Sequence, residues 1–253
     1  MDDLSRVVVE LRADPPRTAL LLDFDGTLAP IVEDPAAAVP LPGTVEALVH
    51  LHSLYGRVAV VSGRPIQHLH QHLPAGPMLV GLYGLETAVD GRVEHHPDAE
   101  PWRRVIDDVA AAAVAELPGG VVVEHKGLSL TLHVRAHPDL AGIVDAWAGA
   151  VADRTGLLVR RARMSSELHP PIAADKGTVV DGLVEGFDVA CFIGDDVGDL
   201  PAFDALDRFA ATGGRSLRLV VQSAETDPVL LARADAVLAG PAAVLRLLEG
   251  LLA

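Results

Sequence analysis

The run Leu20-Leu21-Leu22-Asp23-Phe24-Asp25-Gly26-Thr27-Leu28 sets two carboxylates, one residue apart, at the carboxyl end of an apolar segment and just before a glycine turn. So apolar a segment needs its backbone paired inside a sheet, whereas two charged carboxylates cannot stay buried unpaired. The chain is thereby constrained to an open sheet with Asp23 and Asp25 at the mouth of one strand, facing a cation or a ligand. A bare Asp-x-Asp occurs on any surface turn. The string Asp23-Phe24-Asp25-Gly26-Thr27 behind an apolar strand is much more specific.

Further apolar, β-branched runs bounded by turn residues lie at about 57–61, 78–82, 189–193 and 218–222, beside the first at about 19–23, with helical patterns between several of them. This alternation predicts a parallel sheet covered by helices, the α/β class. Pro42-Gly43-Thr44 opens a segment in which Val45, Leu48, Val49 and Leu51 recur at helical spacing, and it ends near Gly56 as a crossover helix would. The stretch between Ser62 and Lys176 is far longer than one crossover needs, so something is inserted there. Within it, Trp102–Leu117 and Pro138–Thr155 read as helices, and Val121–Glu124, Leu128–Arg135, Leu157–Arg163 and Ser165–Leu168 as strands. The expected organisation is a core of 1–98 and 170–253 carrying a small α/β insert over 99–169, of roughly seventy residues, near the lower size limit for a domain. Pro241–Leu252 reads as a packing helix.

Composition narrows the partners. A formal charge of −15 over 253 residues argues against nucleic acid and anionic membranes, so an anionic ligand would have to be captured locally. The basic run Arg160-Arg161-Ala162-Arg163 reads as a solvated strand face. No apolar stretch reaches the roughly eighteen residues of a membrane span, and Met1-Asp2-Asp3 lacks a basic region followed by an apolar signal core, so a cytoplasmic location is expected. A monomer is a separate expectation, which these features do not bear on. The lone Cys191 reads as a buried small hydrophobe and excludes an internal disulfide.

Three more groups follow strands or open a helix: Ser62-Gly63-Arg64 after the second run, Asp175-Lys176-Gly177, and Gly194-Asp195-Asp196-Val197-Gly198-Asp199 after the fourth. Together with Asp23 and Asp25, and in this order, they resemble the haloacid-dehalogenase-type (HAD) phosphatases. The resemblance implies a Rossmann-like core with an inserted cap, and hydrolysis of phosphate esters through an aspartyl-phosphate. Asp23 would be nucleophile and metal ligand. Asp25 would be general acid and then base, offering its backbone carbonyl to the metal. Ser62 and Lys176 would hold phosphoryl oxygens, with Thr27, Gly63 and Arg64 beside them. Asp195 is the best further metal ligand, and Asp196 and Asp199 are ligands or stand behind them. A phosphate monoester is a dianion, so a carboxylate reaches it only when cationic charge cancels the repulsion; oxygen-only ligands suit Mg2+, and Mn2+ would fit the same set.

The insert adds detail. Glu124-His125-Lys126-Gly127-Leu128-Ser129-Leu130-Thr131-Leu132-His133-Val134-Arg135, then Glu167-Leu168-His169-Pro170-Pro171 and the Gly81-Leu82-Tyr83-Gly84-Leu85-Glu86 loop, resemble the trehalose-6-phosphate phosphatases. That resemblance covers about residues 19–240. It implies a small-molecule sugar phosphate as partner, with Glu124, Lys126, His133, Arg135 and Glu167 facing the sugar from cap strands. This chain departs from the family in having His169 for Arg, Tyr83 for His, Val134 for Tyr, and Gly198-Asp199-Leu200-Pro201 for Thr-Asp-Glu-Asp. Those departures leave a phosphatase for another sugar or cyclitol phosphate as the first alternative. A non-catalytic sugar-phosphate sensor is the second, and a phosphomutase-type transfer to a second hydroxyl shares the core chemistry. Shielding the leaving oxygen from water calls for a cap that closes, with hinges expected near 97–100 and 169–174.

Overall fold

The computed structural model describes residues 3–32, 37–73, 76–89, 91–162, 164–224 and 226–253. Two compact units emerge, Met1–Glu94 with Ala174–Ala253, and His95–Ala173. The insert therefore opens at His95 and closes at Ala173, outside the expected 99 and 169, because turns at 96–102 and 170–172 extend it at both ends.

The first unit is built on a sheet whose strands are β1 (Thr18–Leu22), β2 (Arg57–Val61), β3 (Met78–Gly81), β4 (Glu86–Val89) and β5 (Arg92–His95). After four strands of the other unit, β10 (Val189–Gly194), β11 (Arg215–Val221) and β12 (Ala236–Leu238) complete it. The order is β12-β11-β10-β1-β2-β3-β4-β5, parallel from β12 to β3 and turning antiparallel at β4. Every residue of β1 and β10 is buried. In β1, alternate side chains feed opposite layers, as the two-residue period requires. Leu20 and Leu22 pack with α1 (Asp3–Leu11), α2 (Thr44–Leu54), α3 (Ile66–His72) and α9 (Pro241–Leu252), whereas Ala19 and Leu21 pack with α6 (Lys176–Leu183), α7 (Leu200–Ala211) and α8 (Pro228–Leu231). Since β1 leads to β2 on one side and abuts β10 on the other, its carboxyl end lies at a topological switch point, where open α/β sheets form their crevice. Cys191 is buried in β10, and burial pushes its thiol pKa up, so it packs as a small apolar residue.

The second unit is a four-stranded antiparallel sheet of β6 (Val122–His125), β7 (Leu130–His133), β8 (Leu158–Ala162) and β9 (Ser165–His169), ordered β6-β7-β9-β8. Its helices α4 (Arg103–Glu116) and α5 (Ala141–Thr155) cover one face, burying Leu130, Leu132 and Leu168 against Ile106, Val144 and Ala148. The expected strand over 128–135 is shorter than anticipated: Lys126 N–H bonds back to Ser129 O, and Val134 N–H turns to Met164 O, so Arg135 falls in an exposed turn. Arg160 and Arg161 point to opposite faces of β8, and Arg163 lies outside the described residues. Among the described residues, no helix is long and apolar enough to cross a membrane.

Candidate active site

Pairing between β1 and β10 continues one residue past the strand, through Asp23 N–H to Ile193 O at 2.9 Å. The chain then folds back on itself, with Leu28 and Ala29 N–H both on Phe24 O and Gly26 N–H on Ala29 O. Gly26 has φ +73°, and a Cβ there would stand 2.0 Å from Asp195 Oδ2. Glycine is thus required twice, for the backbone and for the close approach of the second acidic loop.

Asp23 Oδ1 accepts from Lys176 Nζ at 2.7 Å, and the same ammonium donates to Asp199 Oδ1 at 2.6 Å. Lys176 is the first residue of α6, whose amino end is fixed by Asp175 accepting from Thr178 N–H and by Thr178 Oγ1 accepting from Asp175 N–H. Such a cap is worth about 1 kcal/mol, and here it also sets where the lysine starts. Asp199 is fully buried, and its other oxygen accepts from Asp195 N–H at 2.9 Å and Asp196 N–H at 3.3 Å. One carboxylate therefore ties the lysine to the loop after β10.

Oxygens of Asp23, Asp195 and Asp199 lie within 4.8 Å of one another. Three buried carboxylates face one ammonium. Burial first, then Asp23, Asp196 and Asp199, push Asp195 up to about 9. Burial likewise raises Asp23 well above the carboxylate range, against the pull of Lys176. For Lys176 burial works against the charge, but Asp199 and then Asp23 outweigh it and carry the pKa well above the usual lysine value. This excess of negative charge, on oxygen donors alone, fits a hard divalent cation. Asp199 already receives three donors, so Asp23 and Asp195 would be the better direct ligands of such a cation. The Asp196 carboxylate caps a short turn by accepting from Gly198 N–H at 2.8 Å, and the Asp25 carboxylate is engaged elsewhere.

That engagement is with Arg64, whose Nε and Nη2 grip Asp25 at 2.8 and 2.7 Å. Ser62 follows β2 directly, its N–H on Val80 O and its Oγ accepting from Arg64 N–H at 3.1 Å. Thr27 Oγ1 is buried and has no hydrogen-bond partner among the described residues. The 81–86 loop carries part of the family resemblance, but no residue role follows from its sequence. In the structure it clamps the Ser62 loop: Leu82 N–H reaches Arg64 O, Tyr83 N–H reaches Ser62 O, and Glu86 Oε2 accepts from Ile66 N–H at 2.7 Å.

In the second unit, Glu124, Thr131, Glu167 and Arg160 are cross-strand neighbours in one row, on the face turned from its helices. His133 Nε2 is 2.7 Å from Glu124 Oε2, and Lys126 Nζ lies between Glu124 (3.9 Å) and Glu167 (3.7 Å). Glu167 also accepts from Ser129 Oγ at 2.7 Å and Arg160 Nη1 at 3.2 Å. Four of the five expected cap residues therefore cluster; Arg135, exposed in its turn, is not among these contacts.

The cluster carries a pH signature. Burial opposes the Glu167 charge, but Lys126, Arg160 and the Ser129 hydrogen bond together hold its carboxyl below the usual range. Burial and then Arg160 lower the His169 pKa. A histidine kept neutral when folded loses stability as pH falls below its unfolded value of about 6.5. A carboxylate with a depressed folded pKa contributes stability above the unfolded value of about 4.3, which is lost as pH falls through the folded one. The difference in urea midpoint between wild type and Glu167→Gln, followed by Trp102 and Trp147, the chain's two tryptophans, should favour wild type at neutral pH and shrink as pH falls through the acid range. A difference that stays constant from pH 7 down to the unfolding limit would contradict this.

Comparison with known proteins agrees with the geometry. The family profile described as trehalose-phosphatase matches residues 21–228. The trehalose-phosphate phosphatase of Mycobacterium ulcerans is 38% identical over 205 residues, which are 76% of this chain and 52% of that protein. This chain thus spans about half the length of the curated relatives it matches. Among solved structures, the C-terminal domain of C. albicans trehalose-6-phosphate phosphatase superposes with a TM-score of 0.77 at 23% identity, covering 99% of this chain and 96% of that one. A haloacid dehalogenase-like hydrolase from Bacteroides thetaiotaomicron gives 0.60 at 15% identity, covering 92% and 98%. The architecture is HAD-like, and with a matching profile over most of its length the chain belongs to the trehalose-phosphatase family.

Proposed function

We propose that the chain is a Mg2+-dependent phosphomonoester hydrolase whose substrate is trehalose 6-phosphate. The observation that carries this reading is the buried set Asp23, Lys176, Asp195 and Asp199 at the switch point of the sheet. Lys176 fixes Asp23 Oδ1, leaving Oδ2 to attack phosphorus as the bond to the ester oxygen breaks. The leaving oxygen takes a proton from Asp25, which must first be released by Arg64; Asp25 then removes a proton from the water that cleaves the aspartyl-phosphate. Asp23 and Asp195 would hold the cation, with the Asp25 backbone carbonyl, and it would supply the positive charge that lets a carboxylate approach a dianion. Ser62, Thr27, Gly63 and Arg64 would bind phosphoryl oxygens with Lys176. Asp199 acts by holding Lys176 and the Asp195 loop, and Asp196 by shaping that loop. Glu124, Lys126, His133 and Glu167 would read sugar hydroxyls.

Phosphate release with Mg2+ from trehalose 6-phosphate, glucose 6-phosphate, sucrose 6-phosphate and an aryl phosphate tests this. The disaccharide ester is expected to have the highest kcat/KM. Preference for another sugar ester would keep the mechanism and replace the substrate. No release from any ester would overturn the hydrolase reading.

A further inference from the structure

Leu82, Tyr83 and Gly84 follow one another with φ of +48°, +58° and +109°, and the first two are the non-glycine residues with positive φ among those described. Left-handed backbone is unfavourable for both side chains and persists only where the surroundings impose it. Here they do. Leu82 N–H is held by Arg64 O and Tyr83 N–H by Ser62 O, each at 3.0 Å, and the Leu82 side chain is buried. Gly84 packs so closely on Val179 of α6 that a Cβ would stand 2.7 Å from it. The turn is thus wedged between the Ser62 loop and the helix that begins with Lys176.

The consequence is the position of the phenol. A Cβ on Gly63 would lie 2.6 Å from both Cζ and Oη of Tyr83 and 2.9 Å from Cε2. The hydroxyl end of the ring, not its root, overlies the residue after Ser62. Tyr83 is also among the groups that act on the charge of Lys176. The Tyr83 hydroxyl therefore lies over the residue that follows Ser62, on a turn that packs on the helix begun by Lys176, although no motif at a strand end or helix start marks it.

We propose that Tyr83 is a catalytic residue whose hydroxyl donates a hydrogen bond to a phosphoryl oxygen, alongside Ser62 and Lys176. The proposal rests on the phosphatase reading. A donor aimed at charge that builds up during transfer acts on kcat more than on KM. Packing over Gly63 alone would be served equally by phenylalanine.

The test is Tyr83→Phe in the full chain with Mg2+, read on trehalose 6-phosphate and on an aryl phosphate. We expect kcat lower by about tenfold to a hundredfold, KM within about twofold, and orthovanadate inhibition weakened by at least about tenfold. Tyr83→His, which restores a donor, should recover part of kcat relative to the phenylalanine variant. Wild-type kcat and vanadate inhibition in Tyr83→Phe, or a histidine variant less active than it, would overturn the proposal while leaving the hydrolase reading intact. A wild-type protein that turns over no ester would overturn that reading, and the proposal with it.

Discussion

Asp23→Asn is expected to lower ester turnover by at least about a thousandfold, as removal of a nucleophile does elsewhere, yet to leave the cation-free protein no less stable than wild type. The two halves of this expectation come from the same geometry. Asparagine cannot form the acyl-phosphate, so chemistry stops. Its amide oxygen can still accept from Lys176, and Lys176 keeps Asp199 as its ion-pair partner. What disappears is one of three buried carboxylates within 4.8 Å of each other. Because the folded pKa of Asp23 is raised, its ionisation opposes folding progressively as pH rises from the unfolded value near 3.9 toward the folded one. In EDTA, the difference in melting temperature between the Asp23→Asn protein and wild type should therefore grow in favour of the variant with rising pH across that window. Full turnover in the variant, or a large loss of stability in EDTA, would each count against the assignment of Asp23.

Much of this site was legible before the fold was. Asp23, Ser62 and Asp195 follow the apolar strands β1, β2 and β10, and strands buried on both faces are what continuous apolar runs report most clearly. Lys176 was legible because Asp175 caps a helix immediately before it. The hairpin of β4 and β5 escaped notice for the opposite reason: Arg92–His95 is exposed throughout and presents no apolar pattern. Strand β12 has three residues and was too short to read. Arg135 was placed on a strand with His133, since two-residue spacing cannot reveal that Val134 turns toward Met164. The roles of Asp199 as a tie between Lys176 and the Asp195 loop, of Arg64 on Asp25, and of Glu86 on Ile66 N–H each depend on contacts between distant segments. No local pattern encodes them. The acidic loop drew attention to all three of its aspartates, and only their hydrogen bonds separate a carboxylate that serves the loop from one left open to a cation.

Lys176→Met is expected to be the most destabilising single change in the core. Methionine has nearly the length of lysine and fills the same space, so the loss would be electrostatic and not a cavity. Lys176 is 4% exposed, and its ammonium bonds Asp23 and Asp199, themselves 5% and 0% exposed. Removing one partner of a buried ion pair costs about 3–5 kcal/mol, because the remaining charge keeps its desolvation penalty without compensation. For a chain of this length that corresponds to a melting temperature lower by about 10 °C in EDTA. Divalent cation should then matter more to the variant than to wild type. With no ammonium in competition, Asp23, Asp195 and Asp199 present a more negative site, so Mg2+ should bind it more tightly and raise its melting temperature further, by the mass-action relation between ligand and folded state. Turnover should remain low even when Mg2+ restores the fold, since the phosphoryl group loses a donor and Asp23 loses the contact that orients it. Thermal melts of both proteins across a Mg2+ titration would decide the matter. Equal midpoints in EDTA would mean that the lysine is not the compensating charge of this cluster, and an unchanged Mg2+ dependence would mean that the cation is held elsewhere.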